Sequence, residues 1–307
     1  LYPRAKAIAP IEFRRAYHAD RAAHNAIELK CAAASATMSN EVNSMSWNES
    51  SALRLGALLE PSAEPLLFGL DDAPGVELRR MPFPELAERF RAEEFDCALL
   101  PPLTALEHSW CRMLPGIGVI ADGPAQSELL YSHTPLIEVR EIALTPGSEP
   151  LQKLVTLMVL AHGGGVPAFR LLGGEASVDS AEAVLVSGSL ALGRTLSHAY
   201  CHDLGRVWQE MTGLPLVLRA WLCRFRAPYP HLRGCLALAR QSGLEQVARI
   251  AQEFSVHSGL PLATAEGYLT RTLGYSLSSR EADGLRRMRE LAIAHGLCAA
   301  EADFRFC

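Results

Sequence analysis

The chain is most easily bounded by what it does not contain. It has no Cys-x-x-Cys pair, no His-Glu-x-x-His and no dense cluster of cysteine and histidine, so the usual zinc frameworks are excluded and no metal is expected. No apolar run approaches the roughly 18 residues of a membrane-spanning helix; the longest candidate, Leu154–Ala161, reads as a buried helix, and no membrane partner is expected. Basic residues are not in excess. Lys and Arg number 29 against 34 Asp and Glu, a net charge of −5, which is not the electrostatic footprint of a nucleic-acid-binding protein. No glycine-rich phosphate loop follows a strand. Gly163-Gly164-Gly165 comes after a helical stretch and reads as a helix stop. No cofactor is implied.

What is present is an ordinary globular composition, 49% hydrophobic and 21% charged over 307 residues, enough for a large two-lobed unit. The eight cysteines (31, 97, 111, 201, 223, 235, 298 and 307) are scattered without regular spacing. Free buried thiols in a reducing, cytoplasmic setting are the expectation. Residues 1–52 differ from the rest: a basic stretch to Lys30, then Ala, Ser, Asn and Met to Ala52. Ala7–Pro10 is too short for the apolar core of a secretory signal. Met38 and Met45 are alternative starts, and residues 1–52 read as a disordered or artefactual extension.

From Leu53 onward, short apolar runs alternate with helical periodicity. Leu53–Leu59, Val76–Met81 and Asp96–Leu100 read as strands, Glu64–Leu70 as a short helix, and Pro82–Glu94 as an amphipathic helix with Leu86 and Phe90 inward. That order implies parallel pairing with right-handed crossovers. A second set follows: strands at Ile142–Thr145, Phe169–Leu172 and Ala183–Val186, a helix over Glu149–His162, a short helix at Val207–Thr212 and a long apolar strand Leu214–Cys223. The remainder is helical: His231–Phe254, Pro261–Leu273 and Ser278–His295. The expected architecture is α/β, with residues 53–140 plus 225–307 as one lobe, 141–224 as the other, and a ligand cleft between them.

Several ordered segments carry a resemblance: Leu55-Gly56 with Pro65-Leu66-Leu67-Phe68-Gly69-Leu70; Phe95-Asp96-Cys97-Ala98-Leu99-Leu100; Asp122-Gly123-Pro124-x-x-Ser127-x-Leu129-Leu130-Tyr131-Ser132; Ala143-Leu144-Thr145-Pro146-x-Ser148; and Asp203-Leu204-Gly205-x-x-Trp208-x-x-Met211-Thr212-Gly213-Leu214-Pro215, ending at Trp221. Together they resemble the chorismate dehydratases of menaquinone biosynthesis by the futalosine pathway. That resemblance implies a type II periplasmic-binding-protein-like fold with a helical C-terminal region. It also implies a hydro-lyase that converts chorismate, a small dicarboxylate, to 3-enolpyruvylbenzoate, with the substrate's own carboxylate taking the proton.

Such a site needs donors that hold carboxylates in a fixed pose. The expected substrate-binding residues are Gly123, Gln126 and Ser127 on one loop, and Thr145, Gly147 and Ser148 before a helix start, with Ser148 at an N-cap position. Two family features are replaced. Leu59-Glu60-Pro61-Ser62 stands where the family has Ser-Tyr-Leu-Asn, and Pro101-Pro102 where it has paired serines. Glu60 is expected to repel a dianion, and Ser62 and Thr104 are the nearest replacement side chains. Three readings stay open: a dehydratase with re-sourced donors, a non-catalytic carboxylate-binding protein, and a degraded copy. His198 and His202 have helical metal-ligand spacing, but without a third ligand they read as surface or core histidines.

Overall fold

The computed structural model describes residues 52–172, 178–193 and 195–307. Apart from Ala52, the expected N-terminal extension lies outside the described residues.

Strand β1 (Leu53–Leu58) is followed by helix α1 (Glu64–Leu67), β2 (Val76–Met81), α2 (Phe83–Arg91) and β3 (Cys97–Leu100). β1 pairs in parallel with both β2 and β3, with Leu53 opposite Val76 and Leu55 opposite Cys97, as the strand-helix-strand order predicts. Helix α2 buries Leu86 and Phe90 and turns its charged residues outward. It packs close because Gly56 has no side chain: a Cβ there would lie 2.6 Å from Leu86.

Two longer strands complete this sheet. β4 (Cys111–Ala121) and β10 (Leu216–Arg224) are antiparallel, and with the short β11 (Leu273–Gly274) the order is β11-β4-β10-β3-β1-β2. The second sheet holds β5 (Glu128–Ser132), β6 (Glu141–Leu144), β7 (Ala168–Leu171), β8 (Ala183–Ser187) and β9 (Tyr200–Asp203), in the order β7-β6-β8-β5-β9. Helix α3 (Gln152–Ala161) follows β6, and α4 (Ser189–Gly193) follows β8. The tail is α6 (Tyr229–Glu245), α7 (Val247–Ser258), α8 (Leu262–Gly267) and α9 (Ser279–Ala294), with α5 (Leu204–Thr212) preceding β10.

The chain thus crosses between the sheets twice, from β4 to β5 and from β9 to β10. These crossings, not residues 140 and 224, divide the strands. β5 belongs to the second sheet, and β10, expected in the second lobe, is a central strand of the first. Pro115, Gly116 and Gly118 interrupt the apolar pattern of β4 and mask it as a strand in the sequence. The structure uses one of those glycines, since a Cβ at Gly118 would lie 2.6 Å from the carbonyl oxygen of Arg219. Strand β9 was also missed, and the helix expected over His231–Phe254 is broken at Gln246.

Backbone contacts stitch the two crossings together. The Asp203 carboxylate accepts from the N–H groups of Ala125 (2.8 Å) and Gln126 (2.7 Å), and caps α5 by accepting from Arg206 N–H at 3.1 Å. A Cβ at Gly205 would fall 2.3 Å from the Gly123 carbonyl oxygen, so only glycine permits this approach.

Trp208 and Trp221 are fully buried, and Trp208 donates to the Pro215 carbonyl at 3.0 Å. Cys97 and Cys223 face each other across β3 and β10 with their sulfurs 2.7 Å apart. Cys111 and Cys235 are also buried; Cys201, against expectation, is exposed on β9. Among the described residues no helix is long and apolar enough to cross a membrane.

Candidate ligand-binding cleft

β1 and β3 end side by side, and the turns that follow them, Pro61–Ala63 and Pro102–Glu107, carry Ser62 and Thr104, both buried. Pro101 and Pro102 are buried too. Because β10 runs antiparallel to β3 with Ala220 opposite Leu100, Arg219 comes to the same end of the sheet. Its side chain is only 2% exposed. Nη2 donates to Glu60 Oε2 at 2.8 Å and Nη1 to the Leu218 carbonyl at 2.8 Å. Among the described residues, Arg219 Nε and Glu60 Oε1 are buried without a partner. Burial opposes the guanidinium's charge, but the carboxylates of Glu60 and Glu128 hold its pKa above the ordinary arginine value. Glu60 was expected to repel an anion; its charge is instead matched by Arg219.

Glu128 opens β5 at the crossing between the sheets and is 3% exposed. Burial pushes its carboxyl up to about 7, against the pull of Arg219 and a hydrogen bond with Ser127; Glu60 and Asp203 add to the rise. Ser127 Oγ donates to the Glu128 carboxylate and accepts from the Tyr268 hydroxyl at 2.8 Å. Tyr268 follows α8, so this chain of hydroxyl, hydroxyl and carboxyl ties the C-terminal helices to the second sheet. Burial holds the Tyr268 phenol far above its usual range. A second contact joins the same two parts of the molecule: Gly193 packs so close to Leu260 that a Cβ would lie 2.9 Å from it.

The second sheet brings together the loops that sequence reasoning singled out. Ser127 accepts at its carbonyl from Gly188 N–H at 2.9 Å, and Ser187 Oγ lies 3.7 Å from where a Gly147 Cβ would be. Their donors, however, are used internally. Thr145 Oγ1 donates to the Leu185 carbonyl at 2.9 Å, and Ser148 Oγ to the Thr145 carbonyl at 2.7 Å. Gly147 N–H donates to Glu149 Oε2 at 2.8 Å. Ser148 therefore makes no side-chain cap bond, which corrects the expectation of a capping serine. Gln126 has a left-handed backbone (φ 63°) and an exposed side chain, and its N–H serves Asp203. Gly123, also left-handed, faces Gln209.

Beside Glu60, on the side facing α7, lies a largely apolar cavity of about 180 Å³, walled by Leu59, Pro61, Ile250, Phe254 and His257. Arg80, at its edge, pairs with Glu64 at 3.3 Å and Asp71 at 2.6 Å. The histidine pair with helical spacing does not lie on a helix. His198 precedes β9 and stacks on His133 at 4.3 Å, while His202 lies on β9. Among the described residues no group of three or more His, Cys, Asp and Glu could hold a metal.

Sequence reasoning gives Arg219, Glu128 and Tyr268 no site role, and Asp203 enters it only as the start of a resembling segment. Two of them left a signal: Arg219 is the one charged residue in the apolar run Leu214–Cys223, and Glu128 leads directly into Leu129-Leu130-Tyr131. An ionisable group embedded in a strand pattern asks for a partner.

The solved structures that resemble this chain share its architecture. Protein AF1704 of Archaeoglobus fulgidus is 17% identical, with a TM-score of 0.64 over 81% of this chain and 99% of that one. The alkanesulfonate-binding protein SsuA of Xanthomonas axonopodis pv. citri, solved with MOPS, is 15% identical, with a TM-score of 0.56 over 84% and 98%. The periplasmic aliphatic sulphonate-binding protein SsuA of Escherichia coli is 14% identical, with a TM-score of 0.55 over 83% and 96%. The fold is thus periplasmic-binding-protein-like, as the resemblance implied. A family model described as menaquinone biosynthesis matches residues 53–294, spanning both sheets and most of the helical tail, and the chain belongs to that family, the family of the chorismate dehydratases.

Proposed function

We propose that the chain dehydrates chorismate to 3-enolpyruvylbenzoate in the cytoplasm, as a step of menaquinone biosynthesis. Arg219, a buried guanidinium at the adjoining ends of β1, β3 and β10, is the observation that carries this reading. It supplies a fixed positive charge suited to a carboxylate substrate, and membership of the menaquinone biosynthesis family supports chorismate as that substrate.

Loss of the ring proton and ring hydroxyl makes the ring aromatic, so the step runs downhill. The cleft has to orient the substrate and stabilise charge rather than supply driving force. If the substrate's own carboxylate takes the ring proton, no protein base is required. The C–O bond breaks as the ring double bond forms, and the proton taken up by the substrate's carboxylate passes to the departing hydroxyl, which leaves as water. On this reading Ser62 and Thr104 supply the side chains nearest the Arg219 end, and Gln126, Ser127, Thr145, Gly147 and Ser148, with Gly123, supply the contacts from the second sheet.

Pro101 and Pro102 favour a second reading, a carboxylate-binding protein without turnover. Proline offers neither a hydroxyl nor an N–H, and the hydroxyls of Thr145 and Ser148 already donate to backbone carbonyls. The deciding experiment is incubation of micromolar protein with chorismate, following the aromatic product by chromatography. Product above the spontaneous rate is expected; its absence would sink the dehydratase reading and leave the binding one.

A further inference from the structure

We propose that Glu60 is a built-in occupant of the carboxylate subsite. Its carboxylate rests on Arg219 where a ligand carboxylate would rest, and a ligand enters by exchanging with it. Three observations lead to this. The first is that the pair is half used. A guanidinium offers five N–H donors in a fork suited to two parallel bonds with one carboxylate. Glu60 takes only one Nη2 bond, at 2.8 Å, leaving Nε and its own Oε1 buried without partners among the described residues. A free carboxylate, not tethered to the backbone of the β1 turn, can take the two-bond geometry that Glu60 does not.

The second observation concerns which partner yields. Arg219 is held in β10 between β3 and β4, and its Nη1 is bonded to the Leu218 carbonyl. Glu60 sits in a turn beside Leu59, which is 58% exposed, and also borders the cavity of about 180 Å³. That cavity gives a displaced Glu60 side chain somewhere to go. Arg80, at the cavity's edge, is already paired with Glu64 and Asp71, so it offers a displaced Glu60 less than Arg219 does.

The third is charge. Arg219 is buried near two carboxylates, Glu60 and Glu128. With Glu60 in place the cation is already neutralised; with Glu60 withdrawn it can hold one incoming carboxylate. The ligand class is therefore a small organic acid. Glu60 sets the threshold such an acid must beat, which makes it a determinant of both affinity and selectivity.

This deepens the proposed cleft without depending on turnover, and its test uses ligands that cannot react. Glu60→Ala leaves a carboxylate-sized vacancy on Arg219. Acetate is expected to raise the thermal midpoint of that variant well above its effect on the wild type, compared with chloride at equal ionic strength. Glu60→Gln, which keeps the shape and removes the charge, is expected to bind benzoate at least about tenfold more tightly than wild type by calorimetry, about 1.4 kcal/mol. Adding Arg219→Gln to Glu60→Ala is expected to abolish the acetate response. Equal acetate shifts in wild type and Glu60→Ala, or benzoate binding no tighter in Glu60→Gln than in wild type, would overturn the proposal. A dehydratase could fail this test and an inactive binding protein could pass it, so its outcome is separate from that of the chorismate assay.

Discussion

The two walls of the cleft are built from different chemistry. On the first sheet, the ends of β1, β3 and β10 present a buried ion pair with unfilled bonding capacity at Arg219 Nε and Glu60 Oε1. On the second, the ends of β6 and β8 present hydroxyl and N–H groups whose protons are already donated: Thr145 to Leu185, Ser148 to Thr145, Gly147 to Glu149. A satisfied donor contributes to the fold, and turning it to a ligand forfeits an internal bond. An under-used buried charge has more to gain than to lose from a ligand. On the proposed reading, recognition rests with Arg219 on the first sheet and shape with the hydroxyl groups of the second.

The strongest way to break that contrast is Arg219→Met. It leaves Glu60 and Glu128 buried near each other without their counter-charge, and one-sided disruption of a buried pair costs about 3–5 kcal/mol. Urea unfolding should show a loss of that size together with loss of carboxylate binding. A smaller effect belongs to the junction between the walls. Glu128 in the folded chain keeps its proton up to about 7, whereas the unfolded chain releases it in the ordinary glutamate range. Its neutral form therefore favours folding on the acid side of that window. This contribution is lost as pH rises towards about 7, at up to about 1.4 kcal/mol per pH unit. Burial sets the window first, moderated by Arg219 and Ser127 and widened by Glu60 and Asp203; Tyr268 reaches it only through its bond to Ser127. Glu128→Gln should flatten that slope in thermal midpoints measured from pH 5 to 8; an unchanged slope would assign it elsewhere. The smallest effect is expected on the hydroxyl wall. Ser148→Ala removes one bond to the Thr145 carbonyl, which still accepts from Ser148 N–H at 3.0 Å. A loss of about 0.5–1.5 kcal/mol in stability is expected, with benzoate affinity lowered less than by Arg219→Met.

Much of the fold was legible because local pattern and tertiary role agree. β1, β2 and β3 and the helix between β2 and β3 fall where periodicity put them, and the glycine run after α3 stops it, with Gly163 left-handed. The misread parts are those where a long-range contact overrides the local signal. β4 tolerates a proline and two glycines because β10 lies against it, and its Gly118 is required by the Arg219 backbone. Without β4, β10 had no visible partner in the first sheet, and the expected lobe borders moved with it. The cleft was half legible for the same reason. The loops at Ser127 and Gly147 do converge, but the residues that satisfy them, Asp203, Leu185 and Glu149, include two that lie far away in the chain. Glu60 looked like an unpaired repulsive charge because its partner is 159 residues distant.

The sulfur atoms of Cys97 and Cys223 meet in the interior of the first sheet, on strands that bracket the charged wall, while Cys201 stands exposed on the second. The molecule thereby carries its own pair of clocks. A thiol-modifying reagent can reach Cys201 in the folded molecule, at a rate held down by the rise that burial causes in its pKa, but can reach the facing pair only in molecules whose first sheet has parted. The ratio of the two labelling rates then reports how often that sheet opens, and whether a bound carboxylate slows it, without any probe being introduced.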